Sequence, residues 1–120
     1  MPPDTPNTPD TKDAAYLWDI LEAAREIQDF IKDLSITQFL KDRKTQRAVE
    51  RNLEILGEAA RKLSLNFQEA NSDIPWKMMV AQRNVLAHEY GEIKQDRIWR
   101  VATNQIPDLI SKVEKLIPPI

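Results

Sequence analysis

The 120-residue chain is predicted to fold as an all-α, up-and-down bundle of four main helices plus a short helical turn, on three observations. Apolar residues recur at steps of three and four through the long segments, the period of one helix face. Most prolines and polar breaks fall between those segments or at their ends. No stretch alternates with the period of two that a half-buried strand needs. The length suits one domain with a single core.

Residues 1 to 11 hold Pro2, Pro3, Pro6 and Pro9, with Thr, Asp and Asn between them and nothing else apolar after Met1. Such a segment has nothing to bury and is predicted to be a disordered tail ahead of a helical domain over 12 to 120. The first helix starts near Thr11, where Asp10 or Thr11 can cap and Asp13 sits well in the first turn. Leu17, Ile20, Leu21, Ala24, Ile27, Ile31 and Leu34 form its core stripe. Trp18 and Phe30 lie at the stripe's edge, placed to cover a neighbouring helix or a partner subunit. Ser35 interrupts the pattern, and Thr37 is expected to cap a short turn carrying Phe39 and Leu40.

The longest helix is predicted over 43 to 65. Its seam of Val49, Leu53, Leu56, Ala60 and Leu63 continues to Phe67 and can pack against two neighbours. Gly57 inside this run costs about 1 kcal/mol relative to alanine. It either permits close helix approach, at a dimer interface or behind residues 83 to 90, or is a tolerated surface glycine. Residues 66 to 73 read as a polar loop. Pro75 fits the first turn of a fourth helix, whose apolar face begins with Trp76, Met79 and Val80 and which Gly91 ends. The last helix, about 95 to 117, carries Ile98, Ala102, Ile106, Leu109, Val113 and Leu116. Pro107 is expected to kink it, and Pro118 and Pro119 to stop it.

Composition narrows the function classes. With no cysteine and one histidine, the chain builds neither a disulfide nor a Cys/His zinc site, and no convergent cluster of acids suggests a magnesium site. The net charge of −2 argues against broad, nonspecific nucleic-acid binding, so any RNA contact must rest on local positive charge. The best local basic stripe is Arg43, Lys44, Arg47 and Arg51. It reads as an RNA-backbone track or as a solvated face pairing with Asp42, Glu50 and Glu54. No apolar run approaches the roughly 20 residues of a membrane span, and the N-terminus has no signal-peptide pattern. A cytoplasmic protein without membrane contact is expected.

The one histidine lies in Arg83-Asn84-Val85-Leu86-Ala87-His88-Glu89-Tyr90. A neutral imidazole with an unperturbed pKa of about 6.5 can take a proton from a ribose 2′-hydroxyl, or return one to the leaving oxygen. His88 is the residue for that task. The Arg83 guanidinium offers a planar fork to phosphate oxygens and stays charged at any working pH. Asn84 can orient the phosphate or the imidazole, and Tyr90 can donate to phosphate or be modified. On a regular helix Arg83 and His88 lie roughly 140° apart, whereas Asn84 and His88 share a face. Either the helix is distorted, or the groups converge across an interface between two copies, which is the arrangement favoured here. The plain structural readings are a hydrogen-bonded helix histidine, an Arg83 paired with Glu89 or another carboxylate, and a helix-end Tyr90.

The pattern Arg-Asn-x-Leu-x-His-x-Tyr, preceded by Ile74-Pro75-Trp76, resembles the signature of HEPN-domain proteins, specifically the HepT-like toxins of HepT/MntA toxin–antitoxin pairs. Arg47-Ala48-Val49-Glu50-Arg51-Asn52-Leu53-Glu54-Ile55-Leu56-Gly57-Glu58-Ala59-Ala60 resembles that group's long central helix, and Ile98-Trp99 to Ile106-Pro107-Asp108-Leu109 its last helix. The resemblance covers about residues 12 to 117. It implies a HEPN-like fold and a homodimeric, metal-independent endoribonuclease, the toxin of a type VII-like toxin–antitoxin system, acting on RNA, with tRNA a candidate. No cofactor is implied. Arg83 and His88 would be catalytic with Asn84 in support. Tyr90 would be the residue that a partner minimal nucleotidyltransferase, the antitoxin, adenylylates to silence the toxin. Some members of the wider group only bind nucleotides or assist a nucleotidyltransferase. The second reading is therefore a non-catalytic, nucleotide- or substrate-binding subunit using the same residues, and the third a plain helical interaction module.

Overall fold

A computed structural model describes residues 10–88 and 93–117. Its elements are α1 (Thr11–Ile31), α2 (Ile36–Lys41), α3 (Arg43–Lys62), α4 (Leu65–Ala70), α5 (Trp76–His88), α6 (Gln95–Arg100), a π-helical turn (Val101–Gln105) and α7 (Ile106–Glu114). They build an all-α, up-and-down bundle in which α3 is central, packed on one side by α1 and on another by α5, while α7 closes against α1. Among the described residues there is no strand. The expected proline-rich tail lies, up to residue 9, outside the described residues, as do the expected stops at Gly91 and at Pro118 and Pro119.

α1 begins where its capping residues predict. The Asp10 carboxylate accepts the Asp13 N–H at 2.7 Å, satisfying one of the free donors of the first turn. Asp13 itself is buried and accepts the Ser64 N–H at 2.8 Å and the Ser64 hydroxyl at 2.7 Å, tying the start of α1 to the start of α4. Leu17, Ile20, Leu21, Ala24 and Ile27 are buried against Val49, Leu53, Leu56 and Ala60 of α3, which together form the heart of the core. The helix stops at Ile31, short of Leu34. Lys32 turns extended, and Asp33 takes a left-handed φ of 67°, a conformation that short polar side chains tolerate better than most. Trp18 and Phe30 are left exposed within the chain.

Three expectations are corrected. The cap of α2 is Ser35, not Thr37. Ser35-Ile36-Thr37-Gln38 forms a capping box, with the Gln38 N–H on Ser35 Oγ at 3.2 Å and the Ser35 N–H on Gln38 Oε1 at 2.8 Å. The central helix ends at Lys62, and part of the expected polar loop is helix α4 instead. Ser64 caps α4 by accepting the Phe67 N–H at 3.2 Å, Phe67 is buried, and Gln68 Nε2 donates to the Leu63 carbonyl at 2.9 Å near the end of α3. Tertiary burial of one phenylalanine and satisfaction of loose backbone groups outweigh the polar local composition. At Pro107, where the sequence predicts crowding of the preceding turn, that turn is π-helical, and the Ile106 N–H reaches back five residues to the Val101 carbonyl. A regular turn would press the proline ring against the carbonyl four residues earlier, and the wider turn relieves that crowding.

Phe39 of α2 is fully buried and meets the Trp99 ring of α6 at 5.2 Å between centroids. The buried Glu50 of α3 accepts from Gln95 Nε2 at 2.7 Å, fixing the start of α6. Trp76 anchors α5 by donating from Nε1 to the Asn71 carbonyl at 3.1 Å. The candidate site therefore hangs from an element held at its start by Trp76 and along its length by α3.

Candidate active site

Gly57 decides how close α5 comes to α3. A Cβ built on Gly57 would sit 2.8 Å from the Met79 carbonyl oxygen and would collide with Arg83 Cβ. Of the roles open to this glycine in the sequence, close approach behind residues 83 to 90 is the one realised, and the surface reading is excluded by its burial. The stem of Arg83 is thereby laid directly on α3. Its guanidinium then meets Glu58, with Arg83 Nε 3.3 Å from Glu58 Oε2.

Glu58 is held from its other side as well. Arg61 Nη2 donates to Glu58 Oε1 at 2.6 Å and Arg61 Nε to Oε2 at 3.2 Å. The hydrogen bonds from Arg61, and then the positive charges of Arg61, Arg83 and Lys62, hold the Glu58 carboxyl below the usual range, although partial burial opposes them. Beyond Nε, Arg83 Nη1 donates to Asn84 Oδ1 at 3.0 Å.

α5 runs as an α-helix to His88, so Arg83 and His88 keep the wide angular separation that their spacing implies. Arg83 faces α3 and is partly covered, whereas Asn84 and His88 are exposed on another side. The structure joins Arg83 to Asn84, and among the described residues His88 makes no side-chain hydrogen bond. Met78 and Val85, also exposed, lie on the same broad side of α5 as His88. Tyr90 lies outside the described residues.

Arg83 and Glu58 line an open groove of about 270 Å³ between α1, α3 and α5, together with Tyr16, Arg51 and Lys62. Lys62 Nζ stands 5.9 Å from the Tyr16 ring centroid, within reach of a cation–π contact. The basic stripe is partly consumed by its own helix. Arg47 pairs with Glu50 at 2.9 Å and Arg51 with Glu54 at 3.6 Å, each three residues on. Arg43 and Lys44 are exposed at the start of α3, where Asp42 caps the helix by accepting the Thr45 N–H at 3.0 Å. Among the described residues no group of three or more His, Cys, Asp or Glu side chains is placed to hold a metal ion. None of the described helices is long and apolar enough to cross a membrane.

The sequence reading missed Glu58, Arg61 and Lys62 as neighbours of Arg83. The three-residue step from Glu58 to Arg61 signalled a local pair and Gly57 allowed close approach behind residues 83 to 90, but neither named Glu58 as the carboxylate beside Arg83.

The family model described as "Ribonuclease HepT-like" matches residues 20–116. The chain belongs to the HepT-like ribonuclease family. It is 42% identical over 106 residues to "Putative RNase MJ0127" of Methanocaldococcus jannaschii, a match covering 88% of each chain. It is 40% identical over 101 residues to "Probable ribonuclease HepT" of Thermococcus cleftensis, covering 84% of this chain and 92% of that one. No solved structure matches. In this HepT-like chain the matched span contains Gly57, Glu58, Arg61, Arg83, Asn84, His88 and Tyr90. Tyr16 of the groove precedes it.

Proposed function

We propose that this HepT-like protein is a metal-independent endoribonuclease, the toxin of a toxin–antitoxin pair, which cleaves RNA with Arg83 and His88. The observation that carries the reading is the anchored Arg83, whose guanidinium is ion-paired at Nε with Glu58 and hydrogen-bonded at Nη1 to Asn84 on the side of the helix that bears His88.

The ribose 2′-oxygen attacks phosphorus as His88 removes its proton. The bond from phosphorus to the 5′-oxygen breaks, and the departing oxygen takes up the proton that His88 carries, passed directly or through water, leaving a 2′,3′-cyclic phosphate, a 5′-hydroxyl and a neutral imidazole. Arg83 stabilises the charge that builds on the phosphate oxygens. Asn84 aligns the two. Because Arg83 and His88 point to different sides of one helix, the working cleft forms between two copies, where the motif of each faces the other. The exposed Met78 and Val85 beside His88 supply apolar surface for that contact. Arg51, which belongs to both the basic stripe and the Arg83 groove, links the two along α3. Arg43, Lys44, Arg47 and Arg51 then serve as the track for RNA phosphates approaching the cleft. Adenylylation of Tyr90 by a nucleotidyltransferase antitoxin would place bulk and negative charge beside the phosphate site and silence the toxin by repulsion.

The test is incubation of the purified protein and its His88→Ala form with total cellular RNA in the presence of chelator, followed by mapping of new ends. Cyclic-phosphate ends from the unaltered protein alone support the reading. Failure of both to cleave, with Tyr90 shown by mass to be unmodified, favours a nucleotide-binding subunit instead.

A further inference from the structure

We propose that Glu58 is a positioning residue for cleavage, which, braced by Arg61 and set at the right height by Gly57, holds Arg83 at Nε so that its terminal nitrogens face the phosphate. The inference rests on the reading of Arg83 as the phosphate clamp.

The mode of contact distinguishes positioning from simple charge pairing. Glu58 touches Arg83 at Nε, 3.3 Å away. That nitrogen is the point of closest approach of the ion pair, and no hydrogen bond from a terminal nitrogen of Arg83 to Glu58 is formed among the described residues. A carboxylate that takes both terminal nitrogens would occupy the fork that phosphate needs. Approached at its Nε edge by Glu58, the guanidinium gives one N–H of Nη1 to Asn84, and among the described residues its terminal nitrogens make no other hydrogen bond. Nor does Glu58 need Arg83 as a counter-charge, because Arg61 already holds both of its oxygens, at 2.6 and 3.2 Å.

Stability does not explain the arrangement either. The Glu58 and Arg83 side chains are each 31% exposed, and pairs in such settings contribute little to folding. What the contact does supply is order. An arginine stem on a helix face samples many rotamers, and a guanidinium fixed at one end presents its planar fork in one orientation. Gly57 completes the device: any side chain there would displace Arg83 Cβ and the Met79 carbonyl, and so move the fork away from Glu58.

The experiment compares single-turnover cleavage and multiple-turnover kcat and KM for the full chain and for Glu58→Ala, Glu58→Gln, Arg83→Ala, Arg83→Lys and the double change Glu58→Ala with Arg83→Lys. Thermal unfolding of each is followed alongside. Glu58→Ala is expected to lower kcat by about tenfold to a hundredfold, the scale set by a misplaced catalytic group, with KM and the unfolding midpoint little changed. Glu58→Gln keeps one acceptor oxygen and falls between. In the Arg83→Lys background, where no Nε remains, Glu58→Ala should have almost no further effect.

Full cleavage by Glu58→Ala, or a loss of rate that only tracks loss of folded protein, overturns the proposal. So does an equal drop from Glu58→Ala in both backgrounds, which would assign Glu58 a role independent of Arg83. If Arg83→Ala cleaves as well as the unaltered chain, the reading of the active site falls, and the positioning role with it. A loss in Arg83→Ala without one in Glu58→Ala removes the positioning role alone.

Discussion

The two sides of α3 are built on different principles. Toward α1 it presents Val49, Leu53, Leu56 and Ala60, large and small apolar residues buried against Leu17, Ile20, Ala24 and Ile27. Toward α5, near the candidate site, it presents a bare backbone at Gly57 and a carboxylate at Glu58, which receive the stem and the charged end of Arg83. The first side gains its energy from area removed from water and accepts modest changes of shape. The second sets a distance and an orientation. Stability and placement of the functional group are thus assigned to different, adjoining positions of one helix, and substitutions at the two sets should separate them.

The largest effect on folding is expected on the α1 side. Leu53→Ala should cost about 2 to 5 kcal/mol, the range for emptying a core leucine site, read from urea unfolding. Cleavage per folded molecule should be unchanged. A fall in cleavage out of proportion to unfolding would mean that the two faces are not separate.

On the α5 side, Gly57→Ala forces a methyl group against Arg83 Cβ and the Met79 carbonyl. Overpacking of this kind costs about 1 to 3 kcal/mol. The sharper expectation is that cleavage falls further than the folded fraction does. An alanine protein of normal rate and stability would show that close approach is not required.

Ser64→Ala should cost about 1 kcal/mol, because it removes the cap of α4 and a hydroxyl that Asp13 accepts from, without touching cleavage. That change samples a junction visible only in three dimensions. The stripe of α1, its cap at Asp10 and the seam of α3 were legible because each is a local, periodic signal. α4 was not, since it depends on burying Phe67 and on joining Ser64 to Asp13, a residue far away in sequence. The capping box at Ser35 was present in the sequence but was displaced in the reading by the neighbouring Thr37. A disturbance of the last helix at Pro107 was legible from the proline itself, but its form, a π-helical turn, was not. At the candidate site, the residue types singled out Arg83, Asn84 and His88, and the contact of Arg83 with Asn84 is the part of that arrangement found in the fold. Glu58 was not, because its role comes from the approach of two helices.

Acidification gives a smaller test. The Glu58 carboxyl is held below its ordinary value in the folded chain. Its contribution to stability is therefore complete above about pH 4.3, the unperturbed glutamate value, and is lost as the pH falls through the lower folded value. Glu58→Gln, which resembles the protonated acid at every pH, should lower stability slightly in the neutral region and leave it nearly unchanged in acid, so that this part of the acid limb flattens. An identical acid limb would mean that the Arg61 and Arg83 contacts do not persist in solution.

The smallest effects on folding belong to the exposed stripe. Arg47→Ala and Arg51→Ala should each change stability by less than about 0.5 kcal/mol, the usual range for exposed positions. If the stripe guides RNA phosphates, each should also reduce the salt dependence of RNA binding by a slope of about 1. An unchanged slope would remove these residues from the RNA path.

The most direct test of a cleft shared between two copies is to mix Arg83→Ala and His88→Ala proteins, each inactive alone, after unfolding and refolding together. With Arg83 of one copy working beside His88 of the other, each mixed dimer regains one intact site. Cleavage should then recover to about a quarter of the unaltered level, as random pairing into two-fold dimers requires. No recovery, with mixed dimers shown to form, would contradict the shared cleft and place both residues at work within a single chain.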